Sequence, residues 1–292
     1  MKFNRSASKE IMVAFCFLIP SFAGFAVFYV IPFGQSVMTS FLNEFGGSGD
    51  GSGWTLGNYA DLLASSSFRK AAGNTFQFMA ASVPIITALA LGLALLLNQR
   101  VFFRNWLRTA YVLPLVVPVA SVVLVWQILF DWNGALNAWM EHIGLDRTDW
   151  MKSDWAPLVI ILIYVWKNIG YNVVLFLAGL QNIPEQYYEI ASLEGASRLR
   201  KISITLIYLT PTTFLVVLMS ILNSFKVFRE TYLVAGDYPH DSIYMLQHYM
   251  NNMFLSLDIE KLSAAASLMA VAILLLVMIM FRMERVFRSY ME

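Results

Sequence analysis

Six apolar runs punctuate the chain, at residues 11–33, 75–97, 110–130, 156–178, 210–225 and 262–281. Most reach or approach the ~20 residues that an α-helix needs to cross about 30 Å of hydrocarbon. The pattern predicts an all-α, polytopic membrane protein with six transmembrane helices forming one transmembrane domain over residues 1–292. The first run follows a basic start (Lys2, Arg5, Lys9), as a signal peptide would. It is too long for the 7–15-residue core of such a peptide, and no small-residue cleavage site follows. A retained first helix is expected, with Pro20 and Gly24 as bends. Lys226, Arg229 and Glu230 crowd the end of the fifth run and set its predicted limit. Residues 35–72 read as a polar connection with a flexible glycine-rich tip, GGSGDGSG, at 46–53.

Between the fourth and fifth runs, residues 182–201 hold Glu185, Glu189, Glu194, Arg198, Arg200 and Lys201. At roughly 2.5–3.5 kcal/mol per charge at the centre of a membrane helix, burying all of them would cost on the order of 15–20 kcal/mol. The stretch therefore lies outside the membrane. Pro184 suits a first helical position and Glu185 favours the positive end of the helix dipole. Gly195, flanked by Ala196 and Ser197, supplies a turn. The spacing predicts helix, turn, helix, serving either as a solvated connector or as an apolar and acidic knob offered to a soluble partner.

Lysine and arginine set the orientation. The amino-terminal tail, the loop with Arg100, Arg104 and Arg108, the 182–201 stretch and the carboxy-terminal tail together hold twelve, against five in the alternate loops. The positive-inside rule places both termini and the 182–201 stretch in the cytoplasm. Trp132, Trp139, Trp150 and Trp155 then fall in an outer loop, as interfacial anchors or as contact surface for an external partner.

Composition excludes several classes. Charged residues make up 13% of the chain, half of the ~25% usual in soluble domains, and the mean hydropathy is +0.61. No basic block suggests nucleic acid. A phosphate loop needs Gly-Lys-Ser/Thr, and the chain has no Gly-Lys pair. The single cysteine, Cys16, excludes an intrachain disulfide, and no metal-ligand spacing is present. His142, His240 and His248 are expected as solvated loop residues. With no paired carboxylates in the membrane and no Ser/His/Asp arrangement, catalysis lacks its groups.

Polar side chains inside the runs are the remaining clue. The fourth carries Tyr164, Lys167, Asn168, Tyr171 and Asn172, with Tyr164, Asn168 and Tyr171 at i, i+4 and i+7. The fifth carries Ser220, Asn223 and Ser224. Such groups point into a bundle or a wet cavity. They serve interhelical hydrogen bonding, or they form a midplane site for a polar, uncharged solute such as a sugar. An ion-coupled secondary transporter is the alternative carrier, although it would normally place an acidic residue inside a span, and none is evident.

The 182–201 stretch resembles the cytoplasmic loop of permease subunits of bacterial ABC importers, which runs roughly E-A-A, three residues, G, and later I-T-L-P. Glu189-Ile190-Ala191, Ser192-Leu193-Glu194, Gly195-Ala196-Ser197, Ile204-Thr205-Leu206 and Pro211 carry the likeness. Ile190, Glu194 and Ile207 depart from the pattern, and the spacing after Gly195 is one residue short. Trp166-Lys167, Gly170, Leu177-Ala178-Gly179-Leu180 and Ile183-Pro184 are similar to the maltose-type carbohydrate branch. So are Leu113-Pro114 through Pro118, Trp126, Phe130, Gly134 and Asn137, and Ser224-Phe225-Lys226-Val227-Phe228. The resemblance implies a transport subunit rather than an enzyme, sitting in a bacterial inner membrane. Its expected partners are a second permease, two copies of a cytoplasmic ATPase and an extracytoplasmic solute-binding protein. ATP and magnesium would sit on the ATPase, with no cofactor on this chain. It assigns ATPase docking to Glu189, Ala191, Glu194, Gly195 and Ala196, and sugar contacts to the helices flanking the loop. The ending Arg282 to Glu292 lacks a glycine-rich tail, which fits the first permease of a heterodimer.

Overall fold

The computed structural model describes residues 5–43, 53–98 and 104–289. Lys2, Arg100, the glycine-rich tip at 46–52 and the last three residues lie outside that set. In chain order the helices are α1 (Arg5–Phe25), α2 (Ile31–Thr39), α3 (Gly57–Ala64), α4 (Ser66–Asn98), α5 (Arg104–Val116), α6 (Val119–Phe130) and α7 (Ala135–His142). Then come α8 (Ala156–Gln181), α9 (Gln186–Leu193), α10 (Arg198–Tyr208), α11 (Thr210–Ser224), α12 (Phe228–Ala235), α13 (Leu246–Leu255) and α14 (Ile259–Ser289). One two-residue antiparallel pair, β1 (Leu42–Asn43) and β2 (Gly53–Trp54), is the only sheet among the described residues.

The six-span reading holds, with shifted limits. The stretches long and apolar enough to cross a membrane are Met12–Thr39, Ser66–Asn98, Val119–His142, Ala156–Gln181, Thr210–Ala235 and Ile259–Val286. The third differs most from expectation, since the run at 110–130 is not one helix. Pro118 has no N–H to give and disfavours helical geometry in the residue before it. The chain therefore breaks at Val117–Pro118, with Pro118 extended at ψ 135°. The second starts at Ser66 rather than 75 because its polar first turns find partners. Asn74 donates to the carbonyls of Asp241 (2.6 Å) and Tyr244 (2.9 Å), and Lys70 pairs with Asp241 at 2.5 Å.

The chain divides into two units. The first takes residues 1–65 and 253–272. There α1 leads through a π-helical turn at Ala26–Val30 into α2. The strand pair is closed by Asn58, whose amide donates to the Ser40 and Leu42 carbonyls at 3.1 and 2.7 Å, and by Phe41 packed on Trp54 and Tyr59.

The second unit takes residues 66–252 and 273–292. Its core is α8. One end packs Ile160, Ile163 and Tyr164 against Phe78, Ile86 and Trp126, and the other packs Val173, Phe176 and Leu180 against Ala90, Ala94 and Leu209. The alanines let the α4 and α8 backbones approach closely, as small residues do between membrane helices. Gly179 plays the same part toward α11, where a Cβ would collide with Thr212 Oγ1 and Leu209 Cδ2.

The fifth span runs on past its predicted end at 225. After a turn at residues 225–227 it continues as α12 to Ala235. Continuation is possible because Glu230, with its side chain only 5% exposed, is paired with the Lys167 ammonium of α8. An acidic residue therefore does lie inside a span, contrary to the sequence reading.

His248 is a second correction, being fully buried on α13 rather than solvated. Its Nδ1 accepts the Met245 N–H at 3.3 Å, and the ring meets Phe228 edge-on at 4.8 Å. Its Nε2 has no partner among the described residues. Burial lowers its pKa to about 4, against the opposing pull of Asp237.

The buried ion pair and the buried imidazole each give a testable expectation. Breaking a buried ion pair on one side typically costs about 3–5 kcal/mol. Glu230→Gln, which strands Lys167, should lower the thermal midpoint of the purified protein, and Lys167→Met with Glu230→Met should recover most of the loss. An unchanged midpoint in the single variant contradicts the pairing. For His248, the unfolded chain binds the proton near pH 6.5 and the folded one only near 4. Its stabilising contribution is complete above about pH 6.5 and falls by up to about 3 kcal/mol as pH drops toward 4. Unfolding midpoints measured from pH 7 to 4.5 should show this slope, and His248→Phe should flatten it. An equal slope in both proteins removes His248 as its source.

Candidate functional site

The 182–201 stretch folds as a helical hairpin whose turn is written in its sequence. Helix α9 ends at Leu193, and Gly195 takes φ +73°, the left-handed geometry that a glycine adopts without penalty. The Ala196 N–H donates to the Ala191 carbonyl at 2.8 Å and the Gly195 N–H to that of Ser192 at 3.1 Å. This bond pair is the Schellman arrangement that closes a helix C-terminus. Ser197 then caps α10, its hydroxyl accepting from the Arg200 N–H at 3.4 Å. The two helices are tied together by Tyr188 Oη and Thr205 Oγ1 at 2.9 Å, by Lys201 Nζ donating to Ser192 Oγ at 2.8 Å, and by the Tyr187 and Tyr208 rings at 4.6 Å.

The predicted docking residues separate by exposure. Glu189, Glu194 and Gly195 are exposed and Ala196 is half-buried, whereas Ala191 is buried inside the hairpin. Of the five, Ala191 alone is closed to solvent. The sequence reading missed the apolar side chains that do face out: Leu193 is 89% exposed, Leu199 80%, and Ile190 is exposed beside them. An apolar residue in a short amphipathic helix is normally read as core, so only its geometry reveals it.

The membrane-embedded polar residues separate in a similar way. The Tyr164 hydroxyl donates to the Ser220 carbonyl at 2.6 Å, and Asn172 Nδ2 donates to Ser220 Oγ at 3.0 Å. Ser224 Oγ donates to the Ile221 carbonyl at 2.7 Å. These four are buried and engaged in bonds that fasten α8 to α11 or close a turn of α11. Asn168 is half-buried and spends one amide N–H on the Tyr164 carbonyl at 2.8 Å. Tyr171 and Asn223 are half-buried. Of the predicted stripe, Tyr164 is buried and bonded to α11, whereas Asn168 and Tyr171 are half-buried. Lys167, beside Asn168, is committed to Glu230.

The loop after α6 explains two further residues. A Cβ on Gly134 would lie 2.5 Å from the Ile128 carbonyl oxygen and within 2.9 Å of those of Asp131 and Leu129. Asn137, fully buried, donates to the carbonyls of Asp131, Trp132 and Thr148. It also accepts from the Thr148 N–H at 3.1 Å and Trp150 Nε1 at 3.0 Å. Glycine and asparagine are the residues this corner demands.

Comparison with known proteins identifies the family. Residues 85–291 match the family model described as binding-protein-dependent transport system inner membrane component. A probable ABC transporter permease, YesP of Bacillus subtilis, is 30% identical over 97% of this chain and 93% of its own. The trehalose/maltose transport system permease MalF of Thermococcus litoralis is 32% identical over 63% of each chain. In a crystal structure of a bacterial alginate ABC transporter, in complex with an alginate pentasaccharide-bound periplasmic protein, one chain superposes with a TM-score of 0.81. That match covers 96% of both chains at 22% identity and speaks for the fold alone. The ion-coupled alternative falls with these matches. The chain belongs to the binding-protein-dependent transport family, as a membrane-embedded permease component of an ABC importer.

Proposed function

We propose that this permease moves a carbohydrate into the cytoplasm by alternating access, driven by ATP bound with magnesium on a partner ATPase. The α9–α10 hairpin carries the reading: outside the spans, a braced knob exposes Ile190, Leu193 and Leu199 together with Glu189 and Glu194. Exposed leucines on a rigid hairpin suit a partner's apolar groove rather than water. A second permease and an external solute-binding protein complete the assembly, with both termini and the hairpin on the cytoplasmic side. The first-permease role and the bacterial inner membrane belong to the same reading.

For the solute, relatives named for trehalose and maltose, lactose and arabinooligosaccharides favour a sugar. Of the polar residues predicted for the fourth and fifth spans, Asn168, Tyr171 and Asn223 remain to meet it once the helix fasteners are set aside. Their amides and hydroxyl both donate and accept, and the tyrosine ring offers a face to the sugar's apolar side.

The hairpin is tested at Gly195. A Cβ added there would meet nothing within 4 Å, so a substitution meets only the left-handed backbone cost of about 1–2 kcal/mol. Gly195→Ala should keep assembly and most uptake. Gly195→Asp, adding a carboxylate to the docking surface, should insert normally and lose at least tenfold in ATP-driven uptake in proteoliposomes. Normal uptake with intact ATPase association overturns the docking role. For the solute site, Asn223→Ala and Tyr171→Ala should shift the concentration for half-maximal uptake without altering assembly, whereas Tyr164→Phe should lower stability first. Unchanged concentration dependence in both alanine variants removes the site.

A further inference from the structure

The loop corner fixed by Gly134 and Asn137 does more than turn the chain. Against it, between the end of α6, the start of α7 and residues 149–152, opens a cavity of about 610 Å³. That is within the ~300–1,000 Å³ of small-molecule sites and far larger than a metal ion needs. Val234 and Met151 give it an apolar floor. Trp132, 49% exposed, adds an indole to its wall.

Its polar lining mixes acceptors and donors. Asp131 and Asp149 each use one carboxylate oxygen on a backbone N–H, of Asn133 at 2.9 Å and Lys152 at 3.1 Å. Their second oxygens remain to accept hydroxyl protons. Gln127 Nε2 donates to the Leu233 carbonyl at 2.9 Å, which leaves its amide oxygen as an acceptor. Asn133 Oδ1 accepts from Arg147 Nη1 at 2.9 Å, which leaves its amide NH₂ as a donor. Lys152 supplies an ammonium. Arg147 is itself neutralised by Glu141 at 2.7 Å. The lining therefore combines an aromatic plane, acceptors, donors and a net charge of −1 from its aspartates and lysine.

We propose that this cavity is a second saccharide subsite, specific for a neutral sugar, on the same side of the membrane as the α6–α7 loop. It rests on the carbohydrate reading above. A sugar ring offers C–H groups to Trp132 and hydroxyls to the carboxylates and amides, each of which can find a partner. A uronic acid or a phosphate would bring its charge against Asp131 and Asp149, and like charges at close range are disfavoured. The corner is set before any ligand arrives, because Asn137 makes five hydrogen bonds and Gly134 allows no Cβ, so little ordering is left to oppose binding.

The test uses the full importer, assembled with its partner subunits in lipid nanodiscs, and calorimetric titration with maltose, lactose, arabinotriose and, as the acidic probe, trigalacturonate. For the transported neutral sugar two binding events are expected besides that of the solute-binding protein itself. Trp132→Ala and Asp149→Asn should each weaken one by at least tenfold, and Asn223→Ala should weaken the other. Trigalacturonate should bind the Trp132-dependent event at least tenfold more weakly. A neutral sugar that is transported but shows no event sensitive to Trp132 and Asp149 overturns the subsite alone, as does equal binding of trigalacturonate. Loss of solute-binding-protein association in Trp132→Ala, with both sugar events intact, also overturns it, in favour of a protein contact. An importer that transports no saccharide overturns the carbohydrate reading and the subsite together.

Discussion

In hydrocarbon a polar side chain has no water to fall back on, and this constraint decides what each polar residue of α8 does. Tyr164 and Asn172 both reach Ser220, one by its hydroxyl to the backbone and one by its amide to the side chain. Lys167 reaches Glu230 in α12. These bonds hold the fourth span to both halves of the broken fifth span. A buried pair of this kind is weak evidence for net stability, since desolvation offsets much of its attraction. Its effect is geometric: losing either partner strands a charge, so α12 stays beside α8. The residues left over, Asn168, Tyr171 and Asn223, are the ones available for a solute.

The same physics sends the charge-rich hairpin out of the membrane and gives it a different means of cohesion. Its turn is closed by backbone hydrogen bonds at Gly195, and its helices by Tyr188 with Thr205 and Lys201 with Ser192. Only Leu209 separates α10 from α11, and Leu209 is fully buried against α8's neighbours in the core. From α9 the contacts run to α10, then to α11, and through Ser220 to α8. The contacts are contiguous, which supplies a route for coupling. Two discrete arrangements of that route are what transport requires.

Much of this was legible in the sequence, and the remainder was hidden for identifiable reasons. The hairpin was readable because its determinants are local: Pro184, Gly195 and Ser197 act within a few residues of themselves. The spans were readable from apolar length, but their ends were not. Pro118 was submerged in an apolar run, so its break went unseen. Glu230 looked like the end of a helix because its partner, Lys167, lies 63 residues away. His248 sits in a polar-looking segment, and only packing of α13 on Phe228 makes it buried. Within the candidate site, helical spacing grouped Tyr164 with Asn168 and Tyr171, but spacing carries no information on which members find a partner on α11. The outward leucines of the hairpin were opaque for the converse reason, since sequence alone presumes that leucine is inside.

The central claim is that the hairpin is where the ATPase grips this subunit, and site-specific cross-linking tests it most directly. In a Cys16→Ser background, single cysteines would be placed at exposed Leu193, at buried Ala191 and at exposed Trp139 in the α7 region. In the assembled importer, Leu193→Cys should give an adduct with the ATPase subunit whose yield changes when ATP is added, and Ala191→Cys and Trp139→Cys should give none. No adduct from Leu193→Cys in a transport-active complex, or an equal adduct from Trp139→Cys, would contradict the account.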